Sequence, residues 1–322
     1  MADLVRAEGP ILRAILDATY DIWGEGLTPA AYERYYTAQR ATPWGARQLE
    51  RYALVEGSEI LASAKLYTFA ATLDGQAVRA AGLGALFTRP SHRGRGHARE
   101  LVTRVLDRAA ERGDDLALLF SEIGAGYYAR LGFEAIPTTL KTLTVATPRR
   151  EGAPAMLVRA GDDRDLPAMV EIGAARAGPF RFHLDRDRDL VHYAVAKKRL
   201  LAGLGPAGLR ETLFFVAEEG VSAVAYVVLT AHGSGWTVEE CGDRDPAGAR
   251  VGAILQALLA RDPSVRPVIR GWLPPGFLPP QVAVADEQPT ADVMMIRPLS
   301  ARAKAALPLK AEDVLYWHSD LF

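Results

Sequence analysis

A turn rich in glycine and arginine is the part of the sequence best suited to bind a charged ligand. It lies within residues 86–98 (LFTRPSHRGRGHA), after an apolar strand that stops at Pro90 and before an amphipathic run over residues 99–112. Proline cannot donate a hydrogen bond to a sheet, so the strand ends there. A glycine turn that leads into a helix directs unpaired N–H groups and the positive end of the helix dipole at one point. The pattern therefore predicts a phosphate-binding turn, with Arg93 and Arg95 adding positive charge.

Two common phosphate-binding motifs do not describe this turn. A Walker-type loop needs Gly-x-x-x-x-Gly-Lys-[Ser/Thr], and no lysine follows the glycines here. A dinucleotide-binding turn needs Gly-x-Gly-x-x-Gly, and the stretch from Gly94 to Arg99 supplies only its first half. A third phosphate-binding pattern is therefore needed to explain the turn.

The segment Arg93-x-x-Gly96-x-Ala98 resembles the [Arg/Gln]-x-x-Gly-x-[Gly/Ala] pyrophosphate loop of the GNAT superfamily of acyl-CoA-dependent N-acyltransferases. Further along, residues 127–133 (YYARLGF) resemble the Tyr-x-x-[Leu/Phe]-Gly-[Phe/Tyr] signature that closes the same fold. The resemblance implies that the strand before the turn binds the pantetheine amides and that the turn binds the pyrophosphate. The residues so implicated are Leu86, Phe87, Thr88, Arg93, Gly94, Arg95, Gly96, His97 and Ala98.

Length and composition indicate a soluble protein with two domains. A chain of 322 residues exceeds the roughly 250–300 residues of most single cores, and 49% hydrophobic with 24% charged residues is ordinary for globular proteins. A net charge of −1 gives no reason to expect nucleic acid or a membrane as partner. Cys241, the one cysteine, excludes an internal disulfide and is typical of a reducing compartment. With no signal-like or membrane-spanning run, we expect a cytoplasmic protein.

The order of predicted elements is that of two tandem GNAT-like domains, an α/β (α+β) fold in which helices flank a mixed, mostly antiparallel sheet. The first domain, which would bind acetyl-CoA, is assigned to residues 1–147, and residues 148–154 form a proline- and glycine-containing linker. The second domain spans 155–300, and a tail of residues 301–322 is expected to pack toward the first domain. At the position of the glycine turn the second domain has residues 243–250 (DRDPAGAR). The spacing from Arg244 to Gly248 is one residue longer than the pyrophosphate-loop motif allows, and the two aspartates would repel a pyrophosphate.

The chain also resembles the enhanced-intracellular-survival (Eis-type) acetyltransferases. The resemblance rests on Ser121-Glu122 ahead of the tyrosine segment, on the second GNAT-like unit without its own loop, and on residues 293–299 (VMMIRPL). Members of that family acetylate amines, including aminoglycosides and lysine side chains, and form homo-oligomers. In them a tyrosine is the acid and the chain's own C-terminal carboxylate is the base.

Acyl transfer from a thioester to an amine needs a base for the amine and an acid for the leaving thiolate. Tyr128 is the candidate acid, because a phenol with a pKa of about 10 is neutral at pH 7 and can protonate a thiolate. Tyr128 precedes Phe133 by five residues, which is the spacing of the family signature, whereas Tyr127 does not have this spacing. Glu122 is one candidate base, acting directly or through water. The Eis-type resemblance implies a second, the α-carboxylate of Phe322.

An aromatic pair of helices precedes the first strands and covers the substrate side of GNAT folds. Trp23, Tyr36 and Trp44 are therefore expected to form walls of an acceptor pocket, with core filling as the alternative interpretation. The six histidines are scattered without a cysteine or histidine cluster, so no metal is expected.

The sequence thus predicts an acetyl-CoA-dependent N-acetyltransferase that transfers an acetyl group to a primary amine by direct attack on the thioester. The acceptor is expected to be a small molecule such as an aminoglycoside-like polyamine, or a lysine side chain. Two alternatives stay open. One is an acyl-CoA-binding sensor without turnover, and the other is a tandem-GNAT amide-forming synthase of thiol-sugar metabolism.

Overall fold

The computed structural model of this chain describes residues 2–147, 156–261 and 266–322. The predicted linker, residues 148–154, lies outside the described residues. Within those residues sixteen strands form two mixed sheets, one of nine strands and one of seven, with helices packed on them. None of the helices described is long and apolar enough to cross a membrane.

The strands and helices are numbered in chain order. The strands are β1 (Asp3–Arg6), β2 (Leu49–Glu56), β3 (Glu59–Leu73), β4 (Gln76–Thr88), β5 (Leu116–Ser121), β6 (Glu134–Ile136), β7 (Thr139–Val145), β8 (Leu157–Ala160), β9 (Phe182–Leu184), β10 (Arg210–Glu219), β11 (Ser222–His232), β12 (Gly235–Asp243), β13 (Val268–Gly271), β14 (Val282–Pro289), β15 (Val293–Pro298) and β16 (Val314–Leu315). The helices are α1 (Gly9–Trp23), α2 (Pro29–Ala41), α3 (Pro43–Gln48), α4 (His97–Glu111), α5 (Gly126–Ala129), α6 (Leu166–Ala177), α7 (Arg188–Leu204), α8 (Ala249–Arg261) and α9 (Ala301–Ala306).

The first sheet has the order β1-β2-β3-β4-β5-β15-β6, with β9 added to β3 and β16 to β9. Strands β1 to β4 are antiparallel neighbours, and β4 pairs with β5 in parallel through the crossover helix α4. The helix predicted after the glycine turn is confirmed. Its apolar face, in which Leu101, Val102, Val105, Leu106 and Ala109 are buried, packs on the sheet because these residues recur at helical spacing.

The second sheet has the order β14-β7-β13-β12-β11-β10-β8. Strand β7, which precedes residue 147, pairs with β13 and β14 in this sheet, whereas β15 lies in the first sheet between β5 and β6. Strand pairing therefore crosses the boundaries predicted between residues 1–147 and 155–300. The two units exchange strands, and this exchange joins them through main-chain hydrogen bonds.

The last residues of the chain are docked. Strand β16 pairs with β9 in parallel, and Tyr316 and Trp317 are buried in the cores of the first and second unit. The chain ends at Phe322, which packs against the core of the first unit. The tail thus runs from one unit into the other.

Candidate active site

A cavity of about 800 Å³ opens where two parallel strands separate. The pairing of β4 with β5 runs from Ala80 with Leu116 to Leu83 with Leu119 and then stops, although β4 continues to Thr88. The main chain of residues 84–88 lines this cavity, so its edge that faces away from β3 is available to a ligand. An extended molecule with amide groups can hydrogen-bond to such an edge as an added strand would.

A bulge in β4 shapes the middle of the cavity. Ser63 pairs with Phe87 and Lys65 with Gly84, so two residues of β4 face one residue of β3. Within the bulge Ala85 has a φ of 47°, a left-handed conformation that is unusual for a residue with a side chain. Bulges bend a strand and redirect its main-chain groups, and they are common beside active sites.

The glycine turn forms one end of the cavity. Gly94 and Gly96 have φ values of 77° and 87°, and a Cβ at either position would meet no atom within 4 Å. Glycine is needed here for the backbone conformation and keeps the turn open to a ligand. Gly96 is the N-cap of α4, so the unpaired N–H groups of the first helical turn, from His97 onward, face this end. These groups and Arg93 suit a pyrophosphate.

Eight of the nine predicted CoA-binding residues line the cavity, and Arg95 is the exception because its side chain is exposed on the outside of the turn. Arg99, one turn into α4, lines the cavity where the sequence prediction had stopped at Ala98. Arg93 is held against the strand by a hydrogen bond from its Nε to the carbonyl of Thr88 at 3.3 Å.

Tyr128 and Tyr127 both line the cavity on the β5 side. Their rings meet edge to face with centroids 5.0 Å apart, and the ring of Tyr128 lies against Phe133 at 6.1 Å. Burial, followed by the neighbouring Tyr127 and Glu122, raises the pKa of Tyr128 to about 12. The phenol is therefore protonated at neutral pH and able to donate a proton. Burial also raises the pKa of Tyr127.

Phe322 brings the end of the chain into the cavity. Its ring packs against Tyr67, Phe69 and Phe120 with centroid distances of 4.8, 5.3 and 5.4 Å. Its carboxyl carbon would lie only 3.1 Å from a Cβ on Gly84, in the bulge of β4. The terminal carboxylate therefore lies against the strand that lines the middle of the cavity.

Residues of the second unit hold this tail in place. The ammonium group of Lys197 on α7 donates a hydrogen bond to the carbonyl of Leu321. The guanidinium group of Arg186 bridges Asp320 in the tail at 3.1 Å and Glu240 on β12 at 2.5 Å. Arg186 and both its partners are almost wholly buried, so the pairing fixes the tail far more firmly than surface ion pairs would.

Glu122 lies on the rim of the cavity and is exposed. Partial burial, and then the charges of Asp292 and Glu25, raise its pKa. A raised pKa makes the carboxylate a better proton acceptor than an ordinary glutamate.

Two of the three predicted aromatic walls line the cavity, namely Trp23 and Tyr36. Trp44 does not, and its assignment as a wall residue is corrected in favour of core filling. Its ring is buried among Tyr67, Phe69 and Tyr193, with centroids at 6.4, 5.2 and 4.7 Å. Strand β3 supplies Tyr67 and Phe69 and helix α7 supplies Tyr193, and the sequence around Trp44 contains no sign of these partners.

The predicted site residues also left out polar residues that line the cavity, among them Tyr32, Tyr35, Gln39 and Lys65. Lys65 had a signal in the sequence, because it is the lysine inside the long apolar run of β3. The part of the chain that is described holds no cluster of three or more metal-binding side chains.

The corresponding turn of the second unit is filled by its own side chain. The buried carboxylate of Asp243 accepts hydrogen bonds from the backbone N–H groups of Asp245 and Arg250, both at 2.9 Å. The guanidinium of Arg250 adds a third at 3.0 Å. Asp243 thus lies at the start of α8 as an anionic ligand would, and its negative charge there disfavours a pyrophosphate.

Comparisons with known proteins agree with the fold. Residues 16–136, which include the glycine turn and Tyr128, match the family model of the acetyltransferase (GNAT) domain. A search of curated proteins finds no match. The chain therefore contains a GNAT domain, which indicates an acyltransferase.

Solved structures extend the likeness to both units. A GCN5-related N-acetyltransferase from Anabaena variabilis superposes with a TM-score of 0.70 at 13% identity, over 94% of this chain and 74% of its own. Eis1 from Mycobacterium abscessus superposes with a TM-score of 0.57 at 19% identity, over 95% of this chain and 76% of its own. A tandem GNAT protein from the clavulanic acid biosynthesis pathway superposes with a TM-score of 0.54 at 13% identity, over 93% of this chain and 99% of its own. The prediction of a tandem-GNAT fold is confirmed.

Proposed function

We propose that this protein is an acetyl-CoA-dependent N-acetyltransferase that acts on a primary amine. The observation that supports the proposal is the meeting, in one cavity, of the glycine turn, the phenol of Tyr128 and the terminal carboxylate of Phe322. Each supplies one requirement of the reaction: a site for the pyrophosphate, an acid and a base.

Acetyl-CoA fits the part of the cavity built by β4 and α4. The pyrophosphate would be held by the N–H groups that follow Gly94 and Gly96 and by Arg93, and the pantetheine amides by the free edge of β4. The thioester would then lie beside the bulge, where β4 and β5 separate. No metal has a part in this arrangement.

In the reaction, the amine nitrogen attacks the thioester carbonyl and a C–N bond forms. The terminal carboxylate of Phe322 accepts a proton from the amine, and the C–S bond breaks as Tyr128 protonates the departing thiolate. The products are the N-acetyl amide and CoA. The raised pKa of Tyr128 keeps its proton available until the thiolate forms.

Glu122 is the second candidate for the base, acting directly or through water. Its carboxylate shares the cavity with Tyr128, but it is exposed on the rim, whereas Phe322 ends against the bulge of β4. The position of Phe322 favours the terminal carboxylate.

The test is release of CoA from acetyl-CoA with a panel of amines, measured for the wild type, for Tyr128→Phe and for a chain that lacks Phe322. We expect an amine-dependent release that both variants reduce by about a hundredfold or more, with acetyl-CoA affinity retained. Loss in Tyr128→Phe alone would assign the base to Glu122 or water. Binding of acetyl-CoA without turnover of any amine would support the sensor alternative instead.

A further inference from the structure

Lys65 is a basic side chain that emerges from an apolar strand into the acceptor side of the cavity. It lies next to the aromatic wall, with its ammonium nitrogen 5.5 Å from the centre of the Tyr36 ring. Its pKa is lowered to about 7, first by burial and then by the charge of Arg51. The proposed reaction gives Lys65 no part, and a lysine in such surroundings needs an explanation.

Arg51 stands directly opposite Lys65 on the neighbouring strand. The two are paired residues of β2 and β3, so their side chains project from the same face of the sheet. Arg51 is 1% exposed, and its guanidinium carbon lies 5.7 Å from the centre of the Tyr36 ring. The phenol of Tyr32 is its polar neighbour, but among the described residues none of its three side-chain nitrogens has a hydrogen-bond partner within 3.5 Å and in good geometry.

The chain supplies these two cations with no close anion. In the described ranges, no carboxylate oxygen lies within 4 Å of a side-chain nitrogen of Lys65 or Arg51. The groups that surround Arg51 are the phenols of Tyr32, Tyr36 and Tyr67. Like charges placed opposite each other in a sheet destabilise it, and a buried charge without a partner costs more still. The protein retains this unfavourable arrangement beside its acceptor pocket.

The acidic groups of the cavity do not neutralise this pair. Glu25 forms an ion pair with Arg210 at 3.0 Å, and Glu122 lies on the exposed rim. The carboxyl group of Phe322 lies against Gly84, the strand partner of Lys65, and the described residues include no ion pair between this carboxyl group and Lys65. A negative charge brought by a ligand would complete the pair.

We propose that Lys65, with Arg51 behind it, binds a carboxylate of the acceptor, so that the substrates are primary amines that also carry a carboxylate. The inference rests on the proposed function and narrows its substrate class from any primary amine to amino acids and related amino carboxylates. One ammonium at the cavity surface balances the single charge of a carboxylate. The apolar walls of Trp23 and Tyr36 suit a substrate with an apolar or aromatic body.

Turnover of matched amines tests the substrate class. The pairs differ only in the carboxylate: phenylalanine with phenethylamine, lysine with cadaverine, and 6-aminohexanoate with pentylamine. We expect a kcat/KM at least about tenfold higher for the carboxylate member of a pair, and Lys65→Met should abolish this preference. Lys304→Met, which makes the same change at an exposed position on α9, should leave it intact.

A positioning role for Lys65 gives a different result. If Lys65 served only to place the Phe322 carboxylate, Lys65→Met would lower kcat/KM for both members of each pair in the same proportion. That result, or a wild type that prefers the amines without a carboxylate or a polyamine such as spermidine, would overturn the inference while the proposed acetyltransferase remained.

Binding separates the inference from the proposed function. 3-Phenylpropanoate carries the carboxylate but no amine, and 3-phenylpropanol is its uncharged counterpart. In calorimetry with CoA present, we expect the carboxylate to bind about tenfold more tightly than the alcohol, and Lys65→Met to remove the difference. Such binding without turnover of any amine would support the carboxylate site and overturn the acetyltransferase. Equal binding of both probes would overturn the inference.

Discussion

Tyr128, Phe322 and Lys65 show how neighbours decide the chemistry of a side chain. Burial raises the pKa of the Tyr128 phenol to about 12 and keeps its proton in place. The same cause acts in the opposite direction on Lys65, whose charged form is the protonated one, and lowers its pKa to about 7. Tyr128 was predictable from its spacing to Phe133, whereas the state of Lys65 depends on Arg51, which the register of β2 and β3 places opposite it.

Lys65→Met is expected to make stability less dependent on pH. In the unfolded chain the lysine has its ordinary pKa of 10.5, so between pH 10.5 and 7 the unfolded state binds a proton that the folded state releases. The free energy of unfolding therefore falls as the pH is lowered through this range. Urea unfolding at several pH values should show a smaller fall in Lys65→Met than in the wild type.

Lys304→Met is the control for this stability measurement, because Lys304 is exposed and its substitution should leave the pH dependence unchanged. Lys197, whose pKa is also lowered to about 7 by burial, contributes a similar fall in both variants. An unchanged slope in Lys65→Met would contradict the lowered pKa of this lysine.

At the scale of elements, the glycine turn and the bulge of β4 place the reacting groups. The turn was predictable because its properties are local: two glycines in left-handed conformations, then the start of a helix. The N-cap of α2 is equally local: the hydroxyl oxygen of Thr28 accepts a hydrogen bond from the backbone N–H of Ala31 at 3.2 Å. The bulge at Ala85 depends on pairing with β3 and was not predicted from sequence.

Gly96→Ala is expected to weaken acetyl-CoA binding. A Cβ at a φ of 87° costs roughly 1–2 kcal/mol, and relief of this strain would turn the N–H groups of the turn away from the pyrophosphate. We expect a several-fold higher KM for acetyl-CoA. Gly113→Ala is the matched control, because Gly113 has a φ of 86° at the other end of α4 and lies outside the cavity. Equal KM values for the two variants would argue against the turn as a CoA site.

Gly84→Ala is expected to lower kcat and to leave acetyl-CoA affinity nearly unchanged. The added Cβ would lie 3.1 Å from the carboxyl group of Phe322 and would displace it. Because misplacement of a reacting group by about 1 Å can cost up to a hundredfold in rate, a loss of about tenfold or more is expected. Gly173→Ala, where a Cβ meets no atom within 4 Å, should keep its activity. Full activity of Gly84→Ala would exclude the terminal carboxylate as base.

At the scale of the molecule, residues of the second unit contact the tail that ends in the cavity of the first. In the corresponding turn of the second unit the carboxylate of Asp243 accepts two main-chain hydrogen bonds, so this turn is less suited to a pyrophosphate than the glycine turn of the first unit. What the second unit contributes is the anchoring of the tail: Lys197 binds the carbonyl of Leu321, and Arg186 binds Asp320. We infer that the second unit acts as a support for the base.

Lys197→Met is expected to lower kcat without changing the KM for acetyl-CoA, because it frees the end of the tail. The loss should be absent in a chain that already lacks Phe322, since both changes act on the same group. Lys310→Met, at an exposed position of the tail, is the control. If the combined variant lowers kcat by the product of the two separate losses, Lys197 acts independently of the Phe322 carboxylate.

The sequence by itself determined the features that depend on near neighbours. These are the glycine turn, the helix after it and the Tyr128 segment, because turn conformation and helical periodicity act over a few residues. Only the tertiary structure decided which distant residues meet. It exchanged β7 and β15 between the sheets, packed Trp44 against Tyr193 and brought Phe322 to Gly84. Those contacts join residues far apart in the chain, where complementary packing and strand pairing, and no local pattern, select the partner.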